Sequence, residues 1–247
     1  MTLARSIRSE WVKLVSLRSA WWTLVAMVAW TAGIAVFVGV THSLQPDDTV
    51  LGGSLTGITL AQLLAATSGV LMITREHATG TIRSTLAATP RRGIMLAAKL
   101  AVTVVVTLVT GLVAAVAAHV IGLVMLSGEG YAPGRPWPAL LGVAACLAVT
   151  AALGLAVGTL VRHSAGAVTA MLGVILLPGL LGPLLGDLRR WAGGASPMAA
   201  LQKLTQSSDA VPGELGTLAA WPSLGLVTAA TAVVLALAAV MLVRRDA

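Results

Sequence analysis

Six stretches of the sequence, near 20–41, 53–74, 94–126, 139–161, 166–186 and 223–243, stay apolar long enough to cross a bilayer, which takes about 20 residues for about 30 Å of hydrocarbon. No other feature narrows the fold so far. In hydrocarbon every backbone N–H and C=O must be satisfied within the chain, and a helix does this locally. At 57% hydrophobic and 10% charged, with a mean hydropathy of +0.92, the chain also has too little polar surface to cover a soluble domain. The expected fold is an all-α membrane protein, a single domain over residues 1–247 with six transmembrane helices. The first run is longer than a signal-peptide core of about 7–15 residues and reads as a retained helix.

Charge placement gives the orientation. Of the 16 Lys and Arg, one side of a six-span topology holds Arg5, Arg8, Lys13, Arg18, Arg75, Arg83, Arg91, Arg92, Lys99, Arg162, Arg244 and Arg245. The other side holds Arg135, Arg189, Arg190 and Lys203 with most of the acids: Asp47, Asp48, Glu129, Asp187, Asp209 and Glu214. By the positive-inside rule both termini and the loop near 75–93 are expected in the cytoplasm of a cell-membrane protein. The pI of about 11.1 thus reports topology. Nucleic-acid binding would need basic residues gathered on a soluble surface, and here they are dispersed at helix ends.

Residues 1–19 project as an amphipathic helix, with Leu3, Ile7, Trp11 and Leu14 on one face and Arg5, Ser9, Lys13 and Ser16 opposite. Such a helix lies in the lipid interface, and Arg5, Trp11, Lys13, Arg18, Trp21 and Trp22 are its expected anchors to membrane lipid. A disordered basic tail is the plainer alternative.

Thr74 to Lys99 is a charged island between two apolar runs. It has room for a short helix of its own. Gly80 supplies a break, Thr81 to Ala88 contains none, and Ile82 and Leu86 share one face at i, i+4 while Arg83 and Ser84 point elsewhere. Pro90, with Thr89 as cap, suits the first turn of the following helix. An amphipathic helix across the mouth of a bundle is a docking surface.

The spans contain no Asp or Glu well inside them, which disfavours ion-coupled transport, since a coupling ion needs an intramembrane carboxylate or an unwound site. His119 is the one ionisable nitrogen clearly within a run, and a lone membrane His is more often a helix-to-helix hydrogen bond than a relay. Small residues recur every four positions at Gly53, Gly57, Ala61, Ala65 and Gly69, and again at Gly142, Cys146, Thr150, Gly154 and Gly158. Such stripes let helices approach closely, although a chain so rich in Ala and Gly produces them by chance as well. Between about 187 and 222 lies an outer segment with a short helix expected over Pro197 to Gln206, capped by Ser196; it is expected at the outer membrane surface, either lying on it or dipping into it. The fifth run carries Pro178, Gly179, Gly182, Pro183 and Gly186, so a straight helix is not expected to persist there. No nucleophile elbow, zinc-helix motif, phosphate loop or cysteine pair occurs. His163 and Ser164 sit beside Arg162 in a short turn, and Cys146 stands alone in an apolar helix.

The order of these features resembles the permease subunit of an ABC-2 type ATP-binding cassette exporter. The likeness rests on Ser9-Glu10-Trp11-x-Lys13-Leu14, Leu17-Arg18-Ser19 and Trp21-Trp22, and more on Glu76-x-x-x-Gly80-Thr81-Ile82-Arg83-x-x-Leu86-x-x-x-Pro90-x-Arg92 followed by Lys99. The resemblance implies that two permease subunits, identical or related, pair with a dimer of separate cytoplasmic ATPase subunits. The chain itself would hold no cofactor, with ATP and Mg residing in the partner. Glu76, Gly80, Thr81, Ile82, Arg83, Leu86 and Pro90 would shape the ATPase joint, and Arg91, Arg92 and Lys99 would anchor the next helix at the anionic leaflet or simply set topology. Thr56, Thr59, Gln62, Thr67 and Ser68 are the expected pathway residues, suited to a lipophilic or amphipathic cargo such as a drug, antibiotic, lipid or peptide. The alternatives are a membrane scaffold or sensor that binds a cytoplasmic partner, and an intramembrane enzyme.

Overall fold

The computed structural model describes residues 2–45, 47–81, 92–126, 128, 130–181, 184, 196–206 and 215–244. Among them are nine helices: α1 (Leu3–Ser16), α2 (Arg18–Thr41), α3 (Val50–Ser54), α4 (Ile58–Ala78), α5 (Arg92–Leu126), α6 (Pro136–Val161), α7 (Ser164–Leu181), α8 (Pro197–Thr205) and α9 (Ala220–Arg244). Six of these, α2, α4, α5, α6, α7 and α9, are long and apolar enough to cross a membrane. Beyond Thr81, the short helix expected over Thr81 to Ala88 lies outside the described residues, as do the expected helix start at Pro90 and Trp191.

Helix α6 is the axis of the bundle. It is the most buried span, and it can be because Gly, Ala, Cys and Thr let neighbours come close. A Cβ on Gly69 would collide with the Ala151 carbonyl, and one on Gly154 with the Ala66 carbonyl. At Gly158 a Cβ would lie 2.9 Å from Ile73 Cγ2 and 3.0 Å from the Val70 carbonyl oxygen. The inner halves of the two small-residue stripes therefore face each other, within one subunit. Their outer members turn elsewhere: Gly57 lies against Thr31 and Ile34 of α2, and Gly142 against Leu204 and Trp221. Around this contact a core forms from Leu51, Leu55, Ile58, Ala61, Ala65, Val143, Leu147 and Ala151, joined by Leu201 and Leu204 of α8.

The second span differs from the expected unbroken run at both ends. At its start the chain makes the separate turn α3, capped by Thr49, whose hydroxyl accepts from Gly52 N at 3.0 Å. The Ser54 and Thr56 hydroxyls then bond back to the carbonyls of Leu51 and Gly53, which competes with helix continuation. At its other end α4 runs past the expected limit through Arg75 and Glu76 to Ala78, because no breaker precedes Gly80, whose φ is +69°. The expected loop at 75–93 thus begins inside a helix, and Arg92 is already the first residue of α5. Helix α5 has 35 residues, about 52 Å at about 1.5 Å each, longer than the hydrocarbon is thick. Helix α7 continues through Pro178 to Leu181.

The short helix α8 starts as the sequence predicts, with the Ser196 hydroxyl accepting from Ala199 N at 3.1 Å, and ends at Gln206 in the left-handed region. Its position agrees with the inward dip that the sequence left open. The Pro197 carbonyl accepts from Gln62 Nε2 at 2.9 Å deep in the bundle, while Gln206 exchanges hydrogen bonds with the Arg135 backbone where α6 begins. Helix α8 therefore runs beside the N-terminal half of α6, from bundle interior to mouth, with Leu201 and Leu204 buried. Two buried leucines need apolar cover, and the interior supplies it.

Candidate functional site

At the end of the bundle that gathers the N-terminal helix, the α4–α5 loop and the end of α9, four charges from three helices meet. Lys99 on α5 is 1% exposed and lies 2.7 Å from Glu10 Oε2 on α1 and 2.7 Å from Glu76 Oε1 at the end of α4. Lys13 completes the set, 2.7 Å from Glu10 Oε1 and 2.9 Å from Glu76 Oε1. Each carboxylate touches both ammonium groups, so two positive and two negative charges balance. Balance is required here, since an unpaired charge at such burial costs several kcal/mol. Burial opposes the charge on Lys13, but its hydrogen bonds to Glu10 and Glu76 outweigh burial and raise its pKa above the ordinary lysine value. The other oxygen of Glu76, Oε2, is buried and makes no hydrogen bond among the described residues.

Two arginines extend the joint to the remaining helices. Arg75 Nη1 donates to Ser19 Oγ at 2.8 Å, tying α4 to the start of α2. Arg92 Nη1 donates to the carbonyls of Leu242 at 2.7 Å and Val243 at 3.4 Å. Those are among the last carbonyls of α9, where a cation satisfies orphan acceptors and the negative end of the helix dipole. The loop beyond Ala78 is therefore bracketed by ion pairs on one flank and by a helix-end tie on the other. Within it, Thr79 N donates to the Arg75 carbonyl at 3.0 Å, and the Thr79 and Thr81 hydroxyls are 2.8 Å apart.

The expected site residues separate into groups. Arg5, Trp11, Arg18, Trp21 and Trp22 are exposed, as an interfacial anchor must be. The face of α1 that docks on the bundle, however, is Ser6, Glu10 and Leu14, whereas Leu3 and Trp11 of the expected apolar face stay open and are suited to lipid. Anchoring at lipid headgroups requires an exposed ammonium, and the structure instead buries Lys99 between two carboxylates. Arg92 is likewise spent on α9. Ile82, Arg83, Leu86, Pro90 and Arg91 lie outside the described residues.

The five expected pathway residues share no open face. Gln62 is fully buried, donating to Thr150 Oγ1 at 3.2 Å and to the Pro197 carbonyl, and so clamps α4, α6 and α8 together. Thr67 and Ser68 are half-buried, their hydroxyls returned to the Leu63 and Ala65 carbonyls of their own helix. Thr59 is half-buried and Thr56 exposed. His163 Nδ1 accepts from Gly166 N, and Ser164 Oγ donates to Thr74 Oγ1, so this pair caps and ties α7. No cluster of three metal-ligating residues occurs among the described residues.

Sequence reasoning missed Glu10 and the burial of Lys99, yet a signal for both was present. Lys99 sits seven residues into an apolar helix, where a buried ammonium demands an acid. The basic side of the topology holds only three acids, Glu10, Glu76 and Asp246. The family described as ABC-2 family transporter protein matches the chain over residues 4–247. No curated protein matches it at a significant level.

Proposed function

The chain belongs to the ABC-2 transporter family, as its non-catalytic transmembrane permease subunit, and from that premise we propose an ATP-driven exporter in which the charged joint links a partner ATPase to the spans. Both termini and the 79–91 loop face the cytoplasm in this reading, supported by the Lys and Arg asymmetry. Two permeases flank the pathway. A separate ATPase dimer, holding ATP and Mg, seats Ile82 and Leu86 with the polar frame of Gly80, Thr81, Arg83 and Pro90. The cargo is lipophilic or amphipathic, in keeping with a bundle whose spans carry so few charges.

The single observation that carries the reading is that the helix ends entering and leaving this loop are each tied to other elements. Glu76 meets Lys99 and Lys13, and Arg92 meets the end of α9. A push on the loop would then act on α1, α4, α5 and α9 together. Co-expression with candidate ABC ATPase subunits supplies the test. Leu86→Asp places a charge on the proposed docking face and should weaken ATPase association more than tenfold, about 1.4 kcal/mol or more; Ser84→Asp, on another face, should be tolerated. Wild-type association and export in a membrane-inserted Leu86→Asp protein would remove the docking role.

A further inference from the structure

Above the charged joint the structure holds a cavity of about 80 Å³, room for several water-sized groups. Its charged end is the Glu10, Lys13, Glu76 and Lys99 cluster with Arg75 beside it. Its walls lie deeper along each helix: Leu24 on α2, Ser68 and Leu71 on α4, Thr103 and Val106 on α5. From Arg75 back to Ser68, or from Lys99 on to Thr107, is about 10–12 Å of helix rise. The cavity is therefore a slot that begins at a charged layer and continues into what the bilayer makes hydrocarbon.

Accessibility decides which charge a ligand meets. Both acids are covered, with side chains 5% and 12% exposed, and Lys99 is covered at 1%. The Lys13 side chain is 37% exposed. Arg75 uses one hydrogen bond, to Ser19, of the five N–H donors a guanidinium carries. The mouth is thus positive although the cluster beneath it is neutral. Thr103 adds a second polar marker: it is 5% exposed, lines the slot, and its hydroxyl has no partner among the described residues.

We propose that this slot binds one anionic glycerophospholipid, its phosphate held by the Arg75 fork beside Lys13 and one acyl chain laid between Leu24, Leu71 and Val106. A planar guanidinium matches phosphate geometry through paired N–H donors, and apolar walls below it match the tail. Helix α1 forms one side of the mouth through Leu14, with Leu17 just beyond its end, so a bound lipid fastens the interfacial helix to α4. The proposal rests on bilayer insertion alone and stands or falls separately from the ATPase reading.

The test is native mass spectrometry of the full-length chain, delipidated in detergent and offered equal amounts of phosphatidylglycerol and phosphatidylcholine with matched chains. The wild-type protein should retain one phosphatidylglycerol with about a tenfold preference. Arg75→Gln should bring the two lipids close to parity at an unchanged melting temperature, Arg75→Lys should recover part of the preference, and Ser19→Ala should keep it. Leu71→Trp, which fills the slot without touching charge, should lower retention of both lipids. Parity in the wild type, a preference that survives Arg75→Gln, retention unaffected by Leu71→Trp, or an equal loss on changing the exposed Arg8→Gln would each overturn the site.

Discussion

The two ends of the bundle solve the same problem with different chemistry. At one end α1, α4 and α5 are joined by four charges centred on Lys99; toward the other, α4, α6 and α8 are joined by the neutral Gln62, Thr150, Cys146 and the Pro197 carbonyl. Lys99 and Gln62 are equally covered, at 1% and 0% exposure, and each site leaves one oxygen without a partner among the described residues, Glu76 Oε2 and Gln62 Oε1. The difference is depth. Glu76 and Lys13 lie at helix ends, where water and headgroups are near, and the partly exposed Lys13 can shift between the two carboxylates while Lys99 keeps them paired. Gln62 sits where a charge would face hydrocarbon, so only neutral hydrogen bonds are tolerable. The charged end is thereby suited to a joint that moves. The neutral end, closed by Leu201 and Leu204, is suited to a joint that holds.

Lys99→Met should have the largest effect, since it leaves Glu10 and Glu76 facing each other with only the half-exposed Lys13 between them. A loss of about 3–5 kcal/mol is expected for stripping one partner from a buried ion cluster. The readout is thermal unfolding followed with a thiol-reactive dye, because the single cysteine, Cys146, is buried in the folded chain. Adding Glu10→Gln and Glu76→Gln to Lys99→Met should recover a good part of the loss; no recovery would mean that packing, not charge, holds this end together.

Gln62→Leu should cost less, about 1–2 kcal/mol, because it removes hydrogen bonds near the average strength along with an amide whose oxygen was already unsatisfied. The same dye measurement compares the two ends directly. If Gln62→Leu proves the more damaging change, the contrast drawn from depth is wrong.

The smallest effect is a pH dependence. Lys13 has a raised pKa in the folded protein, so its ion pairs stabilise the fold fully at neutral pH and throughout the range below the ordinary lysine value of 10.5. Their contribution is lost only as pH climbs beyond that value through the raised one. Melting temperature should therefore show no Lys13-dependent change between pH 6 and about 10, and Lys13→Met should flatten part of the decline above it. A Lys13-dependent change near neutrality would contradict the assignment.

What the sequence made legible was local. Long apolar runs place the six spans, Gly80 marks a turn that requires positive φ, and Ser196 with Pro197 marks the start of α8, because each signal acts within a few residues. What stayed hidden was pairing. Leu3, Ile7, Trp11 and Leu14 form the obvious apolar face of α1, yet Leu3 and Trp11 of that face stay open to lipid while the bundle takes Leu14 together with Ser6 and Glu10. Lys99 reads as one more basic residue near a helix end until α1 and α4 bring acids to it from 89 and 23 residues away. Helix α8 is short enough to suit a surface or an interior, and only the receiving groups on α4 and α6 decide.

The proposed role of the charged joint is tested most directly by Glu76→Gln in the permease–ATPase complex reconstituted in lipid, with co-purification and cargo-stimulated ATP hydrolysis measured on the same preparation. The amide keeps the size of the side chain but weakens its hold on Lys99 and Lys13. The account predicts that the ATPase still co-purifies and hydrolyses ATP at its basal rate while stimulation by cargo is lost. Stimulation equal to wild type would contradict it, showing that the signal between ATPase and spans does not pass through Glu76.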